Sequence, residues 1–219
     1  MLEQVPSLEF TGDREMVAAT AADGRPRHRV YRVERPMLVL GSGSRAEVEL
    51  DLDACQRDGV PIYRRQGGGC AVVLDPGNLL LAVSLQVPGL LRSLEYFRRI
   101  SSWIIIGLAQ LGFPGLERAG SSDLVLGDRK IGGACIHRTR GLLHYSASLL
   151  VSPRVELMER YLRHPPREPD YRRGRSHRDF VGALQSRAGS GEIATLEHAL
   201  QHLLQVEELA VPAPIAVVA

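Results

Sequence analysis

Seven apolar residues, Leu91, Leu94, Phe97, Ile100, Ile104, Leu108 and Leu111, recur at steps of three and four along the middle of the chain. That spacing lines one face of an α-helix and predicts the main amphipathic helix, stopped by Gly112 and Pro114. Ile193, Leu196, Leu200, Leu203 and Leu204 repeat the pattern and predict a last helix. Shorter helices are expected over residues 13–22, closed by Gly24, and around 52–57. Two more are expected over 155–162, with Ser152 as cap and Pro153 in the first turn, and over 177–184, where Ser176 and Asp179 have capping-box spacing. Between them lie short runs rich in Val, Ile and Leu, which predict strands over 29–33, 37–40, 60–65, 71–75, 79–85, 124–126, 130–137 and 142–151. Pro76-Gly77 predicts a hairpin between two of these strands, and the Asp128 turn predicts another. There are no internal repeats. This order predicts an α/β fold of the α+β type, a mixed, mainly antiparallel sheet with helices packed on one face.

Composition narrows the class. The chain has 219 residues, of which 44% are hydrophobic and 24% charged, an ordinary globular mixture. We expect a catalytic unit over residues 1–187, then a C-terminal helix and apolar tail over 188–219 with no accessory domain. No apolar run approaches the 18 or more residues that span a bilayer, and the first residues lack the pattern of a secretory signal. Cys55, Cys70 and Cys135 show no CxxC spacing. A cytoplasmic, enzyme-sized domain with no membrane association is the expectation.

Charge sharpens the search. Only one of the 27 basic residues is a lysine, Lys130, and a composition that spares a single lysine makes it a candidate for work arginine cannot do. A compact, flexible ammonium fits against a small anion or carbonyl where a planar guanidinium does not. Residues 154–187 carry nine Arg against five acidic residues. Net charge is only +2 and aromatic residues are not interleaved as stacking platforms, so no nucleic-acid partner is expected.

The strongest local motif is Arg64-Arg65-Gln66-Gly67-Gly68-Gly69, with strand-like sequence on both sides. Successive glycines allow close main-chain approach and let backbone N–H groups surround an anion. Arg64 and Arg65 offer multidentate donors beside that nest, one of them for a carboxylate or phosphate. The motif is neither a Walker loop nor a dinucleotide fingerprint. Ser122-Asp123 precedes the lysine segment, and Asp123 has three open readings: it orients Lys130, it coordinates Mg²⁺ beside a phosphate, or it caps a turn. A charge pair at 4 Å is worth about 4 kcal/mol at an effective dielectric near 20, enough to help hold a developing adenylate. Cys70, next to the glycines, and Cys135, five residues past Lys130, read mainly as buried strand thiols. His137, His144 and His177 have no metal-ligand spacing, and His144 reads as packed or lining a pocket.

On these segments, with Asp75-Pro76-Gly77-Asn78, Gly127-Asp128-Arg129-Lys130-Ile131-Gly132-Gly133-Ala134 and Leu142-Leu143-His144-Tyr145, the chain resembles the lipoate-protein ligase A family of the biotin/lipoyl protein ligase and transferase superfamily. The resemblance covers approximately residues 10–185. It implies a catalytic domain related to class II aminoacyl-tRNA synthetases and biotin synthetase. It also implies ATP- and Mg²⁺-dependent activation of lipoate or octanoate to an acyl-adenylate. The acyl group would pass to a lysine of a lipoyl domain, in a 2-oxoacid dehydrogenase E2 subunit or the glycine-cleavage H protein. In that reading Arg64, Arg65, Gly67, Gly68, Gly69, Ser122, Gly133 and His144 help bind the nucleotide and acyl groups. Lys130 and Asp123 are the catalytic residues, with Asp123 also the metal ligand. The run from Pro169 to Phe180 looks like a segment seen in short members of the group, near the nucleotide or the partner surface.

Two departures modify the expectation. Family ligases commonly place Asn-Asp where this chain has Ser122-Asp123. Many also carry a C-terminal accessory domain, which leaves three expectations open here: a separately encoded accessory partner, action alone, or acyl transfer only. The alternatives are an ATP-independent octanoyl or lipoyl transferase working through a cysteine thioester, with Cys135 as its relocated thiol, and a non-catalytic homologue that binds the acyl-adenylate.

Overall fold

A computed structural model describes residues 7–88, 93–139, 141–184 and 193–209. Leu91 and the apolar tail lie outside them. The strands are β1 (Leu8–Glu9), β2 (Arg27–Arg32), β3 (Met37–Leu40), β4 (Ile62–Arg64), β5 (Val72–Leu74), β6 (Asn78–Gln86), β7 (Leu116–Ala119), β8 (Asp123–Leu126), β9 (Arg129–Thr139) and β10 (Leu142–Leu150). The helices are α1 (Arg14–Asp23), α2 (Ala46–Glu49), α3 (Leu52–Asp58), α4 (Ser93–Gln110), α5 (Val155–Tyr161), α6 (His177–Phe180) and α7 (Ile193–Leu203).

Alternation along the long strands divides the molecule into layers. Six strands form an antiparallel sheet in the order β2-β6-β10-β9-β8-β7. Leu81, Val83, Tyr145 and Leu149 on one face pack with Ile100, Ile104 and Leu108 of α4 and Leu200 of α7. The two helices approach closely where Gly107 meets Leu204, since a Cβ on that glycine would lie 2.6 Å from the leucine side chain. Helix α7, which begins beyond residue 187, thus shares this core. On the opposite face Leu80 meets Val39 and Leu74 of a second sheet. That sheet has the order β1-β4-β3-β5, with β1-β4 and β3-β4 parallel. Its far face, through Leu38 and Leu40, packs against Ala46, Ala54 and Met158 from α2, α3 and α5.

Several expectations need correction. Helices cover both outer sides rather than one, because the strands divide between two stacked sheets. Pro76-Gly77 does not make a hairpin: β5 pairs with β3 while β6 pairs with β2 and β10, so the chain crosses between sheets there. The crossing is fixed by Asp75, which is fully buried. Its carboxylate accepts from Gly77 N at 2.6 Å and Arg154 N at 2.9 Å, and Asn78 Oδ1 accepts from Asp75 N at 2.6 Å. Asp75 therefore supplies a bond at the start of α5 that Ser152 was expected to make, and Arg154 occupies the cap position. The edge strand β7 and the single turn α2 carry too few apolar residues to show a period. Helix α6 stops at Phe180, four residues short of expectation, and Val181 then bridges to Lys130. The Ser176 cap forms as expected, accepting from Asp179 N at 3.1 Å.

Asp75→Ala leaves two N–H groups without their acceptor and is expected to destabilise the fold by about 2–4 kcal/mol. A lower urea midpoint at unchanged slope would show it.

Candidate functional site

The glycine loop, between β4 and β5, and the lysine strand, β9, come from different sheets and meet at one cavity of about 1030 Å³. Arg65, Gly67, Gly69, Ser122, Asp123, Lys130, Gly133 and His144 all line it, as do Cys70 and Cys135.

Lys130 reaches this cavity because β9 is irregular. Leu124 pairs with Gly132 but Val125 pairs with Lys130, so Ile131 is an extra residue opposite the β8 ladder. In a regular strand Lys130 and Gly133 would face opposite sides of the sheet. The bulge turns both toward the cavity and sends Ile131, 1% exposed, into the core. A Cβ on Gly133 would stand 3.0 Å from Lys130 Nζ and 3.1 Å from its Cε, so the missing side chain is the space the lysine occupies. Lys130 Nζ donates to Asp123 Oδ1 at 2.8 Å, and the Tyr171 hydroxyl donates to Asp123 Oδ2, also at 2.8 Å. Burial, with the Asp123 carboxylate beside it, pushes the Tyr171 phenol well above its usual range and keeps it a donor.

Both Asp123 oxygens are thus engaged. Among the described residues no group of three or more His, Cys, Asp or Glu is placed to hold a metal. In this structure the Asp123 carboxylate is shared between the Lys130 ammonium and the Tyr171 hydroxyl.

The loop opposite is braced by its own arginines. Arg65 Nη2 donates to Gly68 O at 2.8 Å and Cys70 O at 2.9 Å, and Nη1 donates to Val39 O at 3.0 Å. Arg64 Nη1 donates to Gly41 O and Ser44 O, both at 2.9 Å. Both guanidinia are engaged with backbone carbonyls, and Arg64 and Gly68 are not among the residues lining the cavity, whereas Arg65 is. Gly69, at φ 95°, occupies the left-handed region that favours glycine. Among the described residues no acceptor is taken by the N–H groups of Gly67, Gly68 or Gly69.

Cys135 presses on the same loop, where a Cβ on Gly67 would fall 2.5 Å from its sulfur. Burial raises its thiol pKa, and nearby Arg65 only partly offsets this. His144 Nε2 bonds Asp13 Oδ2 at 3.1 Å. His144 pairs with His137 on β9, and Ser148 pairs with Gly133, so His144 lies four residues, about 13 Å, along β10 from the lysine end. Val17, Ala18, Ala21, Val72 and Leu80 give the cavity apolar walls.

Sequence reasoning missed Asp13, Glu49 and Tyr171 as cavity residues. Glu49, 5% exposed, accepts from Ser44 Oγ and Ala71 N and so ties α2 to the loop. Nothing in its local pattern signals this. Tyr171 lies in the basic run, which the sequence places near the nucleotide or the partner surface without singling out this residue. The arginines of that run are largely paired: Arg175 with Asp128, Arg178 with Glu156, and Arg172 with Glu168.

The lipoyl protein ligase A/B catalytic domain model matches residues 6–205. The chain belongs to this family. Among its family relatives, a lipoate–protein ligase of Streptococcus pyogenes is 29% identical over 150 residues, covering 68% of this chain and 43% of the relative. The octanoyltransferase LipM of Carboxydothermus hydrogenoformans is 32% identical over 180 residues, covering 74% and 66%. The chain thus spans less than half of that ligase and about two thirds of that transferase. Two solved structures share the lipoyl ligase fold at TM-score 0.72. One is a lipoate-protein ligase A bound with ATP, 23% identical, covering 93% of this chain and 84% of that one. The other is from a bipartite lipoate protein ligase system of Thermoplasma acidophilum, 24% identical, covering 93% and 82%.

His177, also lining the cavity, has its pKa lowered to about 4, chiefly by burial and then by Arg172. The folded state therefore binds its proton less readily than the unfolded chain does. Its contribution is fully present above pH 6.5 and is lost as pH falls toward 4, by about 3 kcal/mol in all. Urea melts from pH 7.5 to 4 are expected to show this decline flattened in His177→Gln; parallel curves would contradict the assignment.

Proposed function

We propose that this chain activates lipoate or octanoate with ATP and transfers the acyl group to a lysine of a lipoyl-domain protein. The observation that carries the reading is the meeting of Lys130, held at 2.8 Å by Asp123, with the unpartnered glycine-loop backbone in one apolar-walled cavity. An ammonium has three N–H donors, and the bond to Asp123 uses one. The others are available to a carbonyl oxygen and a phosphate oxygen at once.

In the first step the acyl carboxylate attacks the α-phosphorus of ATP, the α–β phosphoanhydride bond breaks, and pyrophosphate leaves. Lys130 and the backbone of Gly67 and Gly69 hold the charge that develops on the phosphoryl oxygens. The acyl chain extends along β10 toward His144. In the second step the acceptor lysine enters as a neutral amine and attacks the acyl carbonyl. The carbon–oxygen bond to AMP breaks, an amide forms, and the amine proton leaves to solvent. Lys130 is an electrostatic organiser throughout. Mg²⁺ belongs with the phosphates of ATP as part of the substrate.

The expected acceptors are E2 lipoyl domains of 2-oxoacid dehydrogenases or the glycine-cleavage H protein. The bipartite Thermoplasma relative supports a separately encoded accessory partner. The described cysteines are all free thiols, in keeping with a reaction in the cytoplasm. No described helix is long and apolar enough to cross a membrane.

The LipM relative favours a second reading, transfer from an octanoylated carrier through a cysteine thioester. The raised thiol pKa of Cys135 and its contact with the glycine loop speak against Cys135 as its nucleophile. The test is the intact mass of a lipoyl-domain acceptor after incubation with enzyme and lipoate or octanoate, with and without ATP. Acylation is expected only with ATP, and Lys130→Ala is expected to slow it by about 10²–10³. ATP-free transfer from octanoylated carrier, with an acyl-enzyme lost in Cys135→Ala, would establish the thioester route instead.

A further inference from the structure

We infer that Tyr171 is a positioning residue for Lys130, acting through Asp123. The inference rests on the proposed reaction for its kinetic consequence but on geometry alone for its structural one.

Three elements converge on a single carboxylate. Asp123 opens β8 and is 9% exposed. Its Oδ1 receives Lys130 Nζ from β9, and its Oδ2 receives the Tyr171 hydroxyl from a 3-10 turn, Asp170–Arg172, that lies outside both sheets. An aspartate carboxylate rotates easily about its last torsion, whose energy wells are broad. Bonded to the lysine alone, it is free to swing and to chelate the ammonium with both oxygens. The phenol on Oδ2 removes that freedom, fixes the carboxylate plane and leaves one oxygen for Lys130. The remaining N–H donors of the ammonium then stay available to the cavity.

Tyr171 suits this task because it is itself held. Its ring packs on Phe180 with centroids 5.2 Å apart. The chain that follows it is clasped to the turn and first residues of β9 in the β8–β9 hairpin. Arg175 donates to Asp128 Oδ2 and to Asp128 O, both at 2.9 Å, and Gly182 N donates to Lys130 O at 2.8 Å. Arg129 Nη1 adds a bond to Arg178 O at 2.8 Å. The basic run thus acts as a strap that delivers one phenol to one carboxylate, while its arginines anchor it.

The chain provides its own probe. Lys130 is the only lysine, so protein grown on [¹³Cε]lysine shows the proton signals of one CεH₂ group. In the wild type the two Cε protons should differ in shift, because the ammonium is held in one place. In Tyr171→Phe, which keeps the ring and removes only the hydroxyl, they should merge toward the value of a mobile lysine. In lipoate-dependent ATP–pyrophosphate exchange the same variant should lose about tenfold in kcat, with the KM for lipoate within about twofold of wild type. Tyr171→Leu, also lacking the donor, serves if the first variant does not fold, with the same expectations. An unchanged lysine cross-peak, or a change confined to KM, would overturn the inference. Absence of exchange in the wild type would instead count against the proposed reaction, and the cross-peak would still decide the role of Tyr171.

Discussion

Lys130 and Asp123 form an ion pair whose placement depends on one irregularity in one strand. Without the extra residue at Ile131, normal alternation would turn the lysine to the opposite face from Gly133, toward the core under α4. A buried, unpaired ammonium there would carry a desolvation penalty of several kcal/mol. The bulge, the missing side chain of Gly133 and the nine-tenths buried carboxylate of Asp123 are three parts of one arrangement. Together they present a cation to the cavity that Gly67 and Gly69 of the glycine loop also line.

The glycine loop and its arginines divide their work. Arg64 and Arg65 hold carbonyl oxygens, which fixes the loop; in the proposed reaction its amides are the groups left for the phosphoryl oxygens. A rigid set of dipoles stabilises a developing charge without reorganising during the reaction. The Lys130 ammonium adds a compact full charge, held in place by Asp123 and with donors that are not spent on loop carbonyls.

Much of this was legible in the sequence, and the failures have physical causes. The long helix α4, the hairpin at Asp128 and the lysine strand follow from local periodicity and turn chemistry, which act over a few residues. The lone lysine and the triple glycine mark the site because each carries a cost or a rarity that a bland role does not require. Hidden from that reading were features set by distant contacts. The crossing of the chain between two sheets at Pro76-Gly77 depends on Asp75 reaching Arg154 N. The bulge shows only in the pairing of β8 with β9. Tyr171 lies 48 residues from Asp123, and nothing in either segment announces their bond. The carbonyl contacts of the arginine pair were also hidden, because two adjacent guanidinia beside a glycine nest suit an anion and a carbonyl equally well.

The most direct test of the account is a crystal structure with a non-hydrolysable acyl-adenylate analogue, in which the distance from the lysine ammonium to the acyl-phosphate linkage is measured. The account predicts direct contact, about 3 Å, from Lys130 Nζ to both the carbonyl oxygen and a phosphoryl oxygen, with the linkage against the amides of Gly67 and Gly69. An analogue bound elsewhere, or bound in the cavity with Lys130 turned away from it, would contradict the central role given to that side chain.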